Sequence, residues 1–358
     1  MKKALLLLSA VLLFAAAAFS QEKPLNQAEY VKMLLALQKN PAAKAEIVDA
    51  LRKRGIDFVL TDGLRSLTRT KGANDDELKR ALEEAARRRD NPSTAKPPTP
   101  VESAQILAKT RSNTLAAVEE MPDFVVKQQV QRSAAYAGTN NFRNLDRLVV
   151  AVSYKSTGEE SYRVLSNNGV VNTNAQAKGS YEEVGGTSST GEFVTMLATI
   201  FKPESEAIFE PVDTDLIRGR RAVIYDFSVT REKAKQIITA TGYLTDSAVT
   251  GMKGRMWVDR DDFRVLRVES EATEIPESFP IRSAKRVIDY EWTTISQEKY
   301  LLPLVSDVRL TFRENSKVFE TRNLIRFKDY QKYGTDVQIV EEDNAPPEET
   351  TPPAPQKP

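Results

Sequence analysis

The sequence predicts an α+β protein in which a small all-α domain precedes a larger antiparallel β-sheet domain. Apolar residues recur with a helical period before residue 91, and a Pro-rich segment then interrupts the chain. In several later segments apolar and polar residues alternate, as they do in a sheet with one buried face. Because short polar turns join these segments, the strands are expected to form an antiparallel meander.

Residues 1–20 have the organisation of a secretory signal peptide. A positively charged start and an apolar run are followed by small residues at Ala18 and Ser20, the positions that a signal peptidase reads. We therefore expect cleavage before Gln21 and a periplasmic or secreted protein. An uncleaved anchor is the alternative, but the run is short for a membrane span, so the mature chain is not expected to span a membrane.

Residues 21–90 are predicted to form a small helical domain. Helices are expected over 28–38 and 42–54, each with apolar residues on one side. A second pair repeats this arrangement, and Asn74 and Asp75 are candidate caps of its second helix. The repetition indicates a weak duplication of a helical hairpin. An envelope protein that docks on this domain is an expected partner.

Two Pro-rich segments bound the sheet domain, which is predicted over residues 103–340. Residues 91–102 are expected to be an extended linker without helix or sheet pairing, because proline opposes both. Residues 341–358 are acidic and Pro-rich, and are expected to be a disordered tail. Within the sheet domain, Val223, Tyr225 and Phe227 share one face of a strand, and polar residues separate them.

The composition excludes much of the usual catalytic chemistry. The chain has no Cys and no His, which excludes thiol nucleophiles, histidine-based triads, and zinc or copper sites that use thiolate or imidazole. Lys and Arg number 51 against 50 Asp and Glu, a balance that indicates no general attraction to nucleic acid. We expect no enzymatic activity, cofactor, metal or nucleic-acid partner, although a carboxylate-pair hydrolase or a Ser-Lys acyl transferase remains formally open.

One hairpin motif resembles a known family. The chain reads Gly-Arg-Met-Trp-Val-Asp at 254–259 and, after a turn, Arg-Val-Leu-Arg-Val-Glu at 264–269. With the Met-Pro-Asp-Phe at 121–124, this hairpin resembles the lipoprotein-carrier superfamily of LolA-like, LolB-like and RseB-like domains. The resemblance covers about residues 103–330 and implies a curved, unclosed β half-barrel with helices over its concave face. It also implies an apolar cavity for an acyl chain or a partner's hydrophobic segment.

A helix predicted from Gly191 to about Phe201 is the candidate wall of such a cavity. Ser189 and Glu192 have the spacing of a capping box, and apolar residues lie on more than one side of the helix. An ordinary core helix is the alternative, since apolar stripes usually pack in cores. The candidate ligand-binding residues are Phe193, Met196, Leu197, Ile200 and Phe201 of this helix, with Tyr225 and Trp257 of the sheet.

Charged clusters have two interpretations each. Arg87, Arg88 and Arg89 are predicted to be a solvated helix end, with contact to anionic lipid as the alternative. An acidic cluster comprises Asp259, Asp261 and Asp262, and a second basic cluster comprises Arg218, Arg220 and Arg221. The acidic cluster is predicted to be a polar hairpin turn rather than a calcium site. The second basic cluster is predicted to protect a strand edge rather than bind phosphate.

These patterns favour two functions. The first is a periplasmic carrier or sensor that binds a lipid acyl chain or a lipoprotein segment in the half-barrel. The second is a non-catalytic interaction module of the envelope, in which the sheet domain is packed solid. The size of any cavity distinguishes the two, and the sequence identifies neither the ligand nor the oligomeric state.

Overall fold

The computed structural model describes residues 23–93, 95–172, 181–241, 245–314 and 316–333, and it is an α+β structure built on one large sheet. The predicted signal peptide and the predicted tail lie outside these residues. The helices are α1 (Gln27–Ala36), α2 (Lys44–Arg54), α3 (Asp62–Lys71), α4 (Asp76–Asp90), α5 (Pro100–Glu119), α6 (Tyr181–Val184), α7 (Val194–Phe201) and α8 (Arg231–Ala234). The strands are β1 (Phe124–Tyr136), β2 (Arg143–Tyr154), β3 (Glu160–Asn167), β4 (Val170–Val171), β5 (Ile208–Ile217), β6 (Arg220–Val229), β7 (Gln236–Thr241), β8 (Thr245–Asp259), β9 (Val265–Thr273), β10 (Ile281–Ile295), β11 (Glu298–Glu314) and β12 (Lys317–Lys332).

The strand order is β4-β3-β2-β1-β12-β11-β10-β9-β8-β6-β5, with β7 paired to β8 beside this path. All these neighbours are antiparallel, so the predicted class, an open and curved antiparallel sheet with helices, is confirmed. The expected simple meander is wrong at two points, because β6 pairs with β8 instead of β7, and because β1 pairs with β12. Consequently β4 and β5, which follow each other in the chain, lie at opposite edges of the sheet.

The two faces of the sheet carry different side chains. On one face, which we call the apolar face, Tyr225 and Phe227 of β6 pack with Met256 of β8 beneath α5 and α7. On the other, which we call the charged face, Arg255 of β8 and Glu269 of β9 lie beneath α2 and α4. Alternation along each strand produces this division, because successive side chains point to opposite faces.

Helices α1–α4 have an apolar core of their own. The side chains of Tyr30, Leu34, Leu51 and Leu78 have no exposed surface within it. Asp75 caps α4 as the sequence predicted, since its carboxylate accepts a hydrogen bond from the Leu78 amide at 2.9 Å. Among the described helices, none is both long enough and apolar enough to cross a membrane.

The segment before α5 differs from the predicted free linker. Helix α5 already begins at Pro100, because Thr99 caps it and proline is favoured at the first helical position. Two backbone oxygens upstream are bound by the sheet domain: Thr214 Oγ1 donates to the Ala95 carbonyl at 3.0 Å, and Arg260 donates to the Lys96 carbonyl at 3.0 Å. The segment is therefore fastened along the sheet.

Helix α7 is shorter than predicted. It begins at Val194 instead of Gly191, and no side chain caps it. The Ser189 hydroxyl and the Glu192 carboxylate hydrogen-bond each other instead of the helix amides. Gly191 has a φ of +74°, which a right-handed helix does not allow, so the helix cannot start there.

Candidate functional site

The predicted ligand-binding residues of α7 are packed into the core of the apolar face. The Phe201 ring stacks on Phe209 of β5 with centroids 5.5 Å apart. No residue of this predicted group is more than 8% exposed. Apart from Met196, which also lines the groove described below, they therefore form a closed cluster rather than an open cavity wall. This cluster brings together Met196, Leu197, Ile200 and Phe201 of α7 with Tyr225 of β6.

Phe193 belongs to a second cluster on the same face. It is fully buried, and its ring contacts Phe124, Tyr154 and Phe327 at centroid distances of 5.4, 5.8 and 5.6 Å. These aromatic contacts come from β1, β2 and β12, three neighbouring strands. Phe193 thus anchors the start of α7 to the half of the sheet that β1–β4 and β12 form.

Trp257 does not face α7, which corrects the prediction. Its neighbours Met256 and Val258 belong to the cluster beneath α7, so alternation places Trp257 on the charged face. There it packs with Ile224 and Leu266, and its indole N–H donates to Asp215 at 3.1 Å. Arg87 of α4 donates to the same Asp215 oxygen, so the indole and α4 share a hydrogen-bond partner.

A polar framework holds the segment that leads into α7. Asn323 of β12 donates to the Thr187 carbonyl at 2.9 Å, and the Gly191 amide donates to Glu160 of β3 at 3.0 Å. Because these contacts come from separated strands, the segment spans the apolar face and carries α7 across it. The sequence offered no local signal for these pairs.

A groove of about 460 Å³ opens between α7 and β7 on the apolar face. Met196 is the predicted residue that lines it, on the α7 side. The opposite wall includes Ile238 of β7, and the floor includes Met252 and Leu310. The groove is therefore distinct from the closed cluster beneath the rest of α7.

A positive charge borders this groove. Arg286 of β10 donates to Ser189 Oγ at 3.1 Å and to the Thr190 carbonyl at 3.3 Å, and its Nη1 lies 3.9 Å from Met196 Sδ. Among the described residues, no carboxylate lies within 4.0 Å of its guanidinium. Lys235 also lines the groove. Arg286 and the Glu192 carboxylate both hydrogen-bond the Ser189 hydroxyl. An acidic group in the groove would therefore meet a cation that has no direct ion pair among the described residues.

The charged face has a larger groove, of about 840 Å³, between α2 and α4 and the sheet. Its walls carry acids and bases in similar numbers, and many of them are paired. Arg80 of α4 lies 2.8 Å from Glu269, and Arg322 lies 2.8 Å from Asp307. This balance favours neither an anionic nor a cationic ligand and indicates an interface between the helices and the sheet.

The end of α4 contributes to this interface, so the predicted solvated helix end is wrong for two of its arginines. Arg87 donates to both carboxylate oxygens of Asp215, at 2.8 and 3.0 Å, and Arg88 donates to Asp213 at 2.6 Å. Arg89 instead pairs with the adjacent Asp90. The pairs with β5 draw α4 onto the edge of the sheet.

The acidic cluster forms a hairpin turn between β8 and β9. Asp259 Oδ1 accepts hydrogen bonds from the amides of Asp261 and Asp262, both at 2.9 Å. Arg220 binds Asp259 and Asp262, and Arg221 binds Asp261. The acidic cluster is therefore paired with two arginines of the second basic cluster.

Arg218, the third arginine of that cluster, binds elsewhere. Its guanidinium donates to Asp289 of β10 at 2.9 Å and to the Tyr290 carbonyl at 2.6 Å. It therefore ties the β5–β6 turn to the middle of the sheet.

No family model and no curated protein matches the chain. Two solved structures are weakly similar to it. A DUF1329 family protein from Desulfovibrio piger has 9% identity and a TM-score of 0.27, with 65% of this chain and 95% of that chain covered. MucB in complex with MucA(peri) has 11% identity and a TM-score of 0.15, with 62% and 94% covered. Such low scores support no argument, and the fold class rests on the strand order described above.

Proposed function

We propose that the chain is an exported, non-catalytic protein that binds the acyl chain of a lipid or lipoprotein in the groove beside α7, as a carrier or a sensor. The observation that carries this proposal is the groove itself. Its floor is apolar at Met252 and Leu310, it is open to solvent, and Arg286 lies at its border. An acyl chain would lie on the floor, and an acidic headgroup would meet the guanidinium.

The dimensions of the groove support a small ligand. Its volume of about 460 Å³ falls within the range of roughly 300–1,000 Å³ that is typical of small-molecule sites. Burial of apolar surface would supply most of the affinity, at about 25 cal/mol per Å². Arg286 would supply orientation, because a charge-assisted hydrogen bond to a carboxylate or phosphate has a defined geometry.

Export is supported by the sequence of residues 1–20, which has the organisation of a signal peptide. The absence of Cys and His from the chain supports a binding role over most known catalytic mechanisms. The proposal is thus for a binding protein of the cell envelope.

The test is lipid analysis of protein purified without detergent. Mass spectrometry of an organic extract should find about one lipid for each protein molecule, and a fluorescent fatty acid should bind to delipidated protein. Leu310→Glu should abolish both signals, because it places a charge on the groove floor. Val212→Glu, a change at an exposed position of β5 outside the groove, should leave both intact.

Leu197 and Phe201 are unsuitable positions for this test. Both lie in the closed cluster, with exposures of 5% and 0%, so a charge there would unfold the protein whether or not it binds a ligand. A wild-type protein that carries no lipid and takes up no fatty acid would contradict the proposal.

The second candidate function is an envelope interaction module with a solid core. Its support is the closed packing of Leu197, Ile200 and Phe201, which fills the space beneath them in the described part of the chain. In that case the α1–α4 layer and the sheet edges would contact protein partners. Lipid-free protein together with a specific protein partner of the α1–α4 layer would favour this function.

A further inference from the structure

Helix α4 presents a row of charged side chains to the sheet. Glu77, Arg80, Glu84 and Arg87 follow each other at intervals of three or four residues, and Arg88 lies four residues after Glu84, so these side chains share one side of the helix. Four of them have oppositely charged partners: Glu77 pairs with Lys44, Arg80 with Glu269, Arg87 with Asp215, and Arg88 with Asp213.

Glu84 is the exception in this row. Its side chain has no exposed surface, and within the described residues neither of its carboxylate oxygens has a hydrogen-bond partner. A buried carboxylate without partners is costly, because it loses its hydration and gains nothing in return. The position therefore favours a neutral carboxyl group.

The sheet faces Glu84 with two acids. Glu269 of β9 and Asp215 of β5 are close enough to repel its carboxylate. Asp213, also on β5, lies near the same helix end through its pair with Arg88. The acids across the interface thus add to the cost that burial imposes.

The nearby cations are already engaged. Arg52 of α2 lies 3.5 Å from Glu77 and 3.9 Å from Glu269, and Arg255 of β8 lies 2.9 Å from Asp226. On α4 itself, Arg80 and Arg87 attract Glu84 electrostatically, but their ion pairs are with Glu269 and Asp215. No cation in the described part of the chain is thus dedicated to Glu84.

We propose that Glu84 is a proton-operated latch between α4 and the sheet. When its carboxyl group is neutral, α4 packs closely on the charged face. When the carboxyl group ionises, the buried charge and its repulsion from Glu269 and Asp215 loosen α4 and widen the groove of about 840 Å³. The latch does not depend on lipid binding at the apolar face.

The pH range of the latch follows from the position of Glu84. Burial, followed by the charges of Glu269 and Asp215, raises the pKa of Glu84 from 4.5 to about 7. A pKa that is higher in the docked state means that docking weakens as the pH rises from about 4.5 to about 7. Above about pH 7 the docked Glu84 carries its full charge, and α4 docking bears the whole free-energy cost of burying that charge. Below about pH 4.5 the carboxyl group is neutral and this cost is absent. The whole effect corresponds to roughly a three-hundredfold change in the docking equilibrium.

Trp257 provides a local signal for docking. The chain has two tryptophans, and Trp292→Phe leaves only Trp257, which is buried and donates to Asp215, the partner of Arg87 on α4. Acrylamide quenching of Trp257 in the full chain should increase between about pH 4.5 and about pH 8. In the same background, the Glu84→Gln variant should show, at every pH in this range, the weak quenching that the wild type shows at low pH. The reason is that glutamine stays neutral.

Glu83→Gln is the matched control. Glu83 is the adjacent residue of α4, is half-buried, and pairs with Arg65 of α3 at 2.7 Å, away from the sheet. Its variant should retain the pH dependence of the wild type. Burial also raises the pKa of Asp213, so the difference between Glu84→Gln and the wild type, rather than either curve alone, isolates Glu84.

Urea unfolding provides a second, independent measurement. Glu84→Gln should stabilise the protein at about pH 8 and leave it unchanged at about pH 4.5. Glu84→Leu is a second neutral variant, for use if glutamine perturbs the packing. It should lose the pH dependence of stability in the same way. The proposal is overturned if the neutral variants and the wild type share one pH profile, or if the wild-type signal does not change with pH.

Discussion

The two faces of the sheet are covered by helices in different ways. On the apolar face, α5 and α7 bury side chains such as Ile106, Ile200 and Phe201 in closed clusters. On the charged face, α2 and α4 meet the sheet through ion pairs, among them Arg87–Asp215 and Arg88–Asp213, around an open groove.

Because of this difference, the two faces should respond differently to salt and pH. Apolar burial is largely insensitive to salt and pH, because it involves no charge. Ion pairs weaken with salt, and buried acids respond to pH. The apolar face is therefore expected to be the rigid part of the molecule, and the charged face an adjustable joint.

The largest effect is expected from a cavity on the apolar face. Phe193→Ala should lower the free energy of unfolding by about 3–5 kcal/mol, because it removes a ring that three other aromatic rings contact. Urea unfolding measures the loss, which should be equal at low and high salt. Val170→Ala, at an exposed position of β4, is the control and should change stability by less than about 0.5 kcal/mol. A loss for Phe193→Ala no larger than that of the control would contradict the packing described.

A smaller effect is expected on the charged face. Arg87→Ala should cost about 2 kcal/mol in the free energy of unfolding, because it leaves the buried Asp215 carboxylate without its guanidinium. The control lies two residues further along α4. Arg89→Ala removes an arginine whose ion pair, among the described residues, is with the adjacent Asp90, and should be almost neutral. Equal losses for the two variants would show that the triplet is a solvated helix end after all.

The sheet was largely predictable, and its pairing was not. Alternation identified the shared face of Val223, Tyr225 and Phe227, and the cap at Asp75 was predicted from its residue type. The pairing of β1 with β12 was missed, because turns report only on neighbouring strands. Alternation also places the adjacent residues Met256 and Trp257 on different faces of the sheet. The assignment of Trp257 to the α7 side therefore overlooked a signal that the sequence contained.

The grooves could not be derived from the sequence. Arg87 and Asp215 are 128 positions apart, and neither has a local pattern that points to the other. The groove beside α7 depends on the placement of β7, and Arg286 is an ordinary charged residue of an alternating strand. An apolar residue that lines a groove and one that fills a core are equivalent in sequence, which is why Met196 was not separated from Leu197.

The difference between the two faces can be measured directly by amide hydrogen exchange of the full chain at fixed pH, in low salt and in about 1 M NaCl, where the Debye length is about 3 Å. Exchange in α4 should be faster at high salt, and exchange in α7 and in the strands beneath it should be unchanged. Equal responses of α4 and α7, or no response of α4, would contradict the claim that charge holds one face and apolar packing the other.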